Sequence, residues 1–140
     1  MKDLEIARRH LKKNGLTLVI VKNGKVIFQT YDHGIRGLLE AIEKLDGLLD
    51  RAFVADRIIG LAAALLCLHA RVEVVYAVIA SGKALELLEK RGVYCKFEKI
   101  VPMILDRSGK DQCPFEKLSS EISSIRDAYH KLKNSTRSFI

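Results

Sequence analysis

The chain has no apolar stretch approaching the roughly 20 residues that a bilayer-spanning helix requires. Its longest such run, Ile58 to Leu68, stops well short, and the N-terminus opens on charged residues rather than an apolar signal core. A cytoplasmic protein is therefore expected. Proline is scarce, with 2 residues, and glycine modest, with 9, while 49% of residues are hydrophobic and 29% charged. That balance excludes a disordered, collagen-like or low-complexity chain. The three cysteines, Cys67, Cys95 and Cys113, form an odd set with no CxxC pair. Neither a disulfide framework nor a zinc ribbon is indicated, and a reducing compartment suits them. No phosphate-binding loop of the Walker A type is present, and the four histidines show no metal-ligand spacing. No cofactor is implied by the residues themselves.

What remains is 140 residues, one domain's worth, with a net charge of +7. The excess sits at the ends: residues 1–13 and 117–140 each carry five basic and two acidic residues, leaving the middle nearly neutral. That distribution argues against a basic nucleic-acid groove and favours solvated helix faces, with basic terminal helices as an interaction surface kept as an alternative.

Local patterns lay out the order of elements. Leu4, Ile6, Ala7 and Leu11 recur near helical spacing until Asn14-Gly15. Leu16 to Val21 and Val26 to Thr30 flank Asn23-Gly24, a strong hairpin signal. Ile35, Leu38, Leu39, Ile42 and Leu45 mark a second amphipathic helix. Asp56 to Ala70, apolar nearly all round, reads as a helix buried at the centre of the fold. A Val-rich strand over Glu73 to Ala80, a helix over Lys83 to Lys90 and a strand within Val93 to Leu105 make a right-handed βαβ unit. A last helix is expected from Cys113-Pro114 to about Lys133, with a frayed tail from Asn134 to Ile140. The sum is a single three-layer α/β/α sandwich on a mixed sheet of four or five strands.

Three constellations could carry chemistry, and each has a plainer reading. Asp56 at the mouth of the buried helix is an N-cap, or else an acid or ligand anchor with Arg57 as its partner or as an anion binder. Ser81-Gly82-Lys83, where a strand gives way to a helix, is a simple cap and turn, or else a seat for a phosphate or carboxylate. Cys113 at the start of the last helix, behind Asp106, Arg107 and Lys110, is a capped helix start, or else a covalent nucleophile with Glu116 or Asp56 as acid–base partner. Cys67 and Cys95 lie on apolar faces and read as core.

The blocks Gly34-Ile35-Arg36-Gly37-Leu38-Leu39-Glu40, Val54-Ala55-Asp56-Arg57 running into Ile58 to Ala64, and Cys113-Pro114-Phe115-Glu116 together make a pattern. It resembles an uncharacterised prokaryotic domain-of-unknown-function family with a cytidine-deaminase-like fold. The resemblance spans about Leu16 to Glu116 and implies a three-layer sandwich without a settled activity. Zinc deaminases open the buried helix with His-x-Glu and the next helix with Pro-Cys-x-x-Cys. The matching positions look like Val54-Ala55-Asp56 and Ala80 to Ala84, so the acid is kept as a shorter Asp56 and the three metal ligands are replaced. The resemblance thus implies a domain without zinc-dependent deamination. The expected function is binding of a small polar or anionic metabolite where helix N-termini converge, using Asp56, Arg57, Ser81, Gly82 and Lys83.

Overall fold

The structure, a computed structural model, describes residues 2–105, 108–110, 112–122 and 124–139, the last three without their side chains. Leu18–Lys22 (β1) and Lys25–Thr30 (β2) form the expected antiparallel hairpin. Asn23 and Gly24 both adopt positive φ, 52° and 78°, as a two-residue hairpin turn matched to strand twist demands. Phe53–Ile59 (β3) pairs antiparallel with β1, and Val74–Ser81 (β4) and Tyr94–Val101 (β5) follow in parallel. The sheet order is β2-β1-β3-β4-β5, five strands in a mixed sheet.

Two helical expectations need correction. The segment read as one buried helix, Asp56 to Ala70, divides at Gly60 into the end of β3 and the helix Leu61–His69 (α3). The cause lies in Phe53, Val54, Ile58 and Ile59, whose aromatic and β-branched side chains suit a central strand. Gly60, extended at φ −99° and ψ −171°, then turns the chain into the helix. Asp56 is accordingly a strand residue and caps nothing. The last helix is likewise two, Pro114–Ser120 (α5) and Ile125–Phe139 (α6), and α6 continues through Asn134 to Phe139.

The remaining helices are Lys2–Lys13 (α1), Arg36–Leu45 (α2), with a 3-10 turn over Asp46–Leu49, and Gly82–Lys90 (α4). They sort onto two faces. On one, Leu4, Ala7 and Leu11 of α1 pack on Val19, Val21, Ala55, Val74 and Tyr76. On the other, α2 to α6 enclose Leu18, Ile20, Val54, Val75 and Ala77. Alternation along β3 thus sends Ala55 towards α1 and Val54 the other way, which is the period-2 rule at work. No helix among the described residues is long and apolar enough to cross a membrane.

Tyr76 is fully buried against α1, and its phenol oxygen has no hydrogen-bond partner among the described residues. A buried hydroxyl without a partner is destabilising relative to none at all. Tyr76→Phe should therefore raise stability by about 1 kcal/mol in urea denaturation; a loss of stability would show that the oxygen is satisfied.

Candidate functional site

Adjacent parallel strands determine where the site lies. Ile59 of β3 pairs with Ala80 of β4, so Gly60 and Ser81 stand side by side where each strand turns into its helix. The N-termini of α3 and α4 therefore open at the same sheet end, with the positive ends of both helix dipoles together. At α4 the Ser81 hydroxyl, almost wholly buried, accepts a bond from the Ala84 N–H at 3.2 Å. That is a standard cap. Lys83 follows it, exposed to solvent.

At α3 no local side chain can cap the helix, because the start reads Gly60-Leu61-Ala62. Glu116 does so from α5. Its Oε1 accepts from the Leu61 N–H at 2.5 Å and its Oε2 from the Ala62 N–H at 2.8 Å. The carboxylate is 5% exposed, and burial raises its pKa against the lowering effect of those two bonds. A Cβ on residue 60 would collide with Glu116 Oε1 and with Ile104. Only glycine admits the carboxylate this close.

Asp56 lies beneath α3, on the face shared with Val54, and is 7% exposed. Its Oδ1 accepts from the Ile58 N–H at 3.2 Å, and burial pushes the carboxyl up to about 7. The same charge and burial raise the nearby Cys67 thiol, with burial the larger cause. Arg57 faces the opposite side. Its guanidinium donates to the carbonyls of Leu16 at 2.5 Å and Leu11 at 3.0 Å, holding the end of α1 to the sheet. Arg57 is thus separated from Asp56 by the sheet itself.

Cys113 is the N-cap residue of α5 and half-buried. Its N–H donates to the Ile104 carbonyl at 2.9 Å, and its own carbonyl accepts from Glu116 and Lys117. Both oxygens of Glu116 are bound at α3, so this carboxylate is not poised beside the thiol as a base. Arg107, expected with Lys110 to supply the basic setting of Cys113, lies outside the described residues, as does Asp106. Cys67 is buried and Cys95 half-buried, both in or against the core as expected.

The structure therefore joins Glu116, Ser81, Gly82 and Lys83 at one sheet end, leaves Asp56 four residues back along β3 near Cys67, and removes Arg57. The zinc that the deaminase-like fold implies does not fit. The helix starts supply Gly60, Leu61 and Ala62 on one side and Ser81, Gly82 and Lys83 on the other, and Glu116 fills the space any side chain at residue 60 would need. Among the described residues no group of three His, Cys, Asp or Glu side chains could hold a metal ion.

Residues 6–136 match the family described as Domain of unknown function (DUF1893). The chain belongs to the DUF1893 family. A crystal structure of a DUF1893 family protein (TM1506) from Thermotoga maritima superposes with a TM-score of 0.87 at 28% identity, covering 95% of this chain and 89% of that one. Two forms of Acinetobacter baumannii RibD align with TM-scores of 0.50 and 0.51 at 17% and 16% identity, over 91% of this chain and 38% of theirs. At that identity the likeness carries the fold alone, and the DUF1893 fold is cytidine-deaminase-like. Among curated proteins nothing matches.

Two predictions follow from these carboxylates. Asp56 has a folded-state pKa of about 7 against 3.8 for an unperturbed group, so the folded chain holds a proton that the unfolded chain has released between those values. The stability contribution of Asp56 should be greatest below about pH 4 and fall as pH rises to 7, by on the order of 4 kcal/mol at most. Asp56→Asn should remove that decline, so its melting temperature should exceed that of the wild type at pH 8 but not at pH 4; an equal offset at both would reject the assignment. Glu116→Ala strands two buried N–H groups and should cost about 2–4 kcal/mol in denaturant unfolding, with Glu116→Gln closer to wild type. Equal losses in the two variants would show that the cap needs both carboxylate oxygens, because Gln keeps the packing but only one acceptor, and no loss in either would reject the cap.

Proposed function

We propose that this chain is a deaminase-like domain that works without zinc and binds a small polar or anionic metabolite where α3 and α4 begin side by side. The observation that carries the reading is Glu116: at this sheet end an anion is already held by backbone N–H groups at one of the two adjacent helix starts. The neighbouring start at α4 has the same dipole and adds the ammonium of Lys83. Ser81 is committed to its cap bond with Ala84, so the groups left for a ligand are the first backbone N–H groups, at Gly82 and Lys83, and the Lys83 side chain. A carboxylate or phosphate on the metabolite satisfies those donors as Glu116 satisfies the ones at α3. Asp56 has no part in holding the ligand, since it lies four residues back along β3 from Gly60, opposite Ala77 and near Cys67. Arg57 has no part in this reading, since its guanidinium is bound to α1 and lies across the sheet.

Inorganic phosphate serves as the probe. Differential scanning calorimetry at constant ionic strength should show the wild type stabilised by phosphate, by about 2.7 kcal/mol at a hundredfold excess over Kd. Lys83→Ala should lose most of that response without losing its fold. Phosphate that stabilises neither protein, or both equally, would remove this site as the anion seat.

A further inference from the structure

The open edge of the sheet carries information that the metabolite reading does not use. Among the described residues β5 is bonded on one side only, to β4, and its eight residues run in regular register with no bulge. The opposite edge, β2, is joined through a register shift between Ile20 and Val21, a common device that blunts an edge. β5 has no such protection. Tyr94 (51% exposed), Phe97 (40%) and Ile100 (55%) stand in solvent along it, and Pro102 comes only after the strand has ended.

We infer that β5 pairs antiparallel with β5 of a second copy of this chain, in a register centred on Phe97. Antiparallel pairing of identical strands is related by a two-fold axis normal to the sheet. Directly opposed residues must then share a face, so the axis passes through one residue. Centred on Lys96, Glu98 or Lys99, the pair sets like charges against each other on the axis. Centred on Phe97, Lys96 meets Glu98 of the second copy and Glu98 meets its Lys96, Tyr94 meets Ile100, and the two Phe97 rings meet on the axis. Opposite charges facing across a ladder stabilise it and like charges destabilise it, so the pattern selects one register and disfavours its neighbours.

The surroundings agree. Lys12 of α1 forms an ion pair with Glu98, fixing that side chain on the α1 face, and Lys96 and Tyr94 line a trough of about 260 Å³ with Leu4, Glu5 and Arg8 on the same face. In the Phe97 register Ile100 of the second copy, opposite Tyr94, reaches that trough. Two five-stranded sheets become one of ten strands, and both exposed edges disappear.

Sedimentation equilibrium on the full chain tests this. The wild type should be dimeric at about 100 µM, the range of a modest specific interface. Lys96→Glu and Glu98→Lys should each weaken the dimer at least about tenfold, because each opposes like charges twice across the axis. Circular dichroism checks that both remain folded. An equimolar mixture of the two variants should reassociate as a heterodimer, since each then carries the charge the other lacks, and no misfolding effect would produce that rescue. A wild type that stays monomeric at that concentration, a dimer unaffected by either variant, or a mixture that fails to reassociate would overturn the proposal.

Discussion

Everything at the centre of this fold depends on a carboxylate supplied from the far end of the chain. Helix α3 is apolar on nearly every side and packs against α4, α5 and α6, so its first N–H groups lie partly or wholly away from water. An uncapped helix start in such a place leaves donors unsatisfied, at a cost that is a sizeable fraction of the net stability of a small domain. The local sequence offers no remedy, because Gly60, Leu61 and Ala62 contain no acceptor side chain. Glu116, 54 residues beyond Ala62, closes the gap with both oxygens, and Gly60 is the vacancy that lets it in. Capping, docking of α5 and burial of α3 are therefore one event. The helix cannot be buried until the C-terminal region has folded over it.

That dependence explains which parts of the fold were legible in the sequence. The hairpin announced itself through Asn23-Gly24, and α2, β4 and α4 through periodicity and turn residues within a few positions of each other. β3 did not. Asp56 and Arg57 in its middle broke the apolar run that marks a buried strand, and Ile58-Ile59-Gly60 ran straight into Leu61 to Leu68. Apolar continuity alone joins them as one helix. The available signal was Gly60 after two β-branched residues, a strand end and helix start rather than a small residue within a helix. At the site, Ser81 to Lys83 stood where expected because a strand-to-helix turn is a local feature. Glu116 was recognisable as a candidate from Cys113-Pro114-Phe115-Glu116, but its partners at Leu61 and Ala62 belong to tertiary structure and leave no mark in spacing.

Arg57 shows the reverse error, a charge given a ligand role because it adjoins Asp56 in sequence. Consecutive strand residues point to opposite faces, and here the faces have different owners. Asp56 belongs to the layer of α3, whereas Arg57 belongs to α1, where its guanidinium meets carbonyls at and just past the negative end of the helix dipole. Much of the basic excess at the N-terminus is used in the same structural manner, with Arg8 and Arg9 on Glu5 and Lys12 on Glu98. Such exposed pairs add little stability individually, but they reduce the free positive field that the composition suggested.

The two buried acids beside α3 are not equivalent. Glu116 receives two backbone N–H bonds and the positive end of a helix dipole, both of which favour its ionised form and oppose the desolvation that raises its pKa. Asp56 is buried with weaker support, from the backbone N–H groups of Ile58 and Arg57, and the Arg57 guanidinium points away across the sheet. Burial raises a carboxyl most where its anion has the fewest donors. Asp56 is the group that burial carries up to about 7, while Glu116, also raised by burial, accepts the two N–H bonds that cap the helix. The carboxylate at the start of α3 is tied to backbone N–H groups, and the carboxyl that burial brings up to about 7 lies four residues before Gly60, on β3.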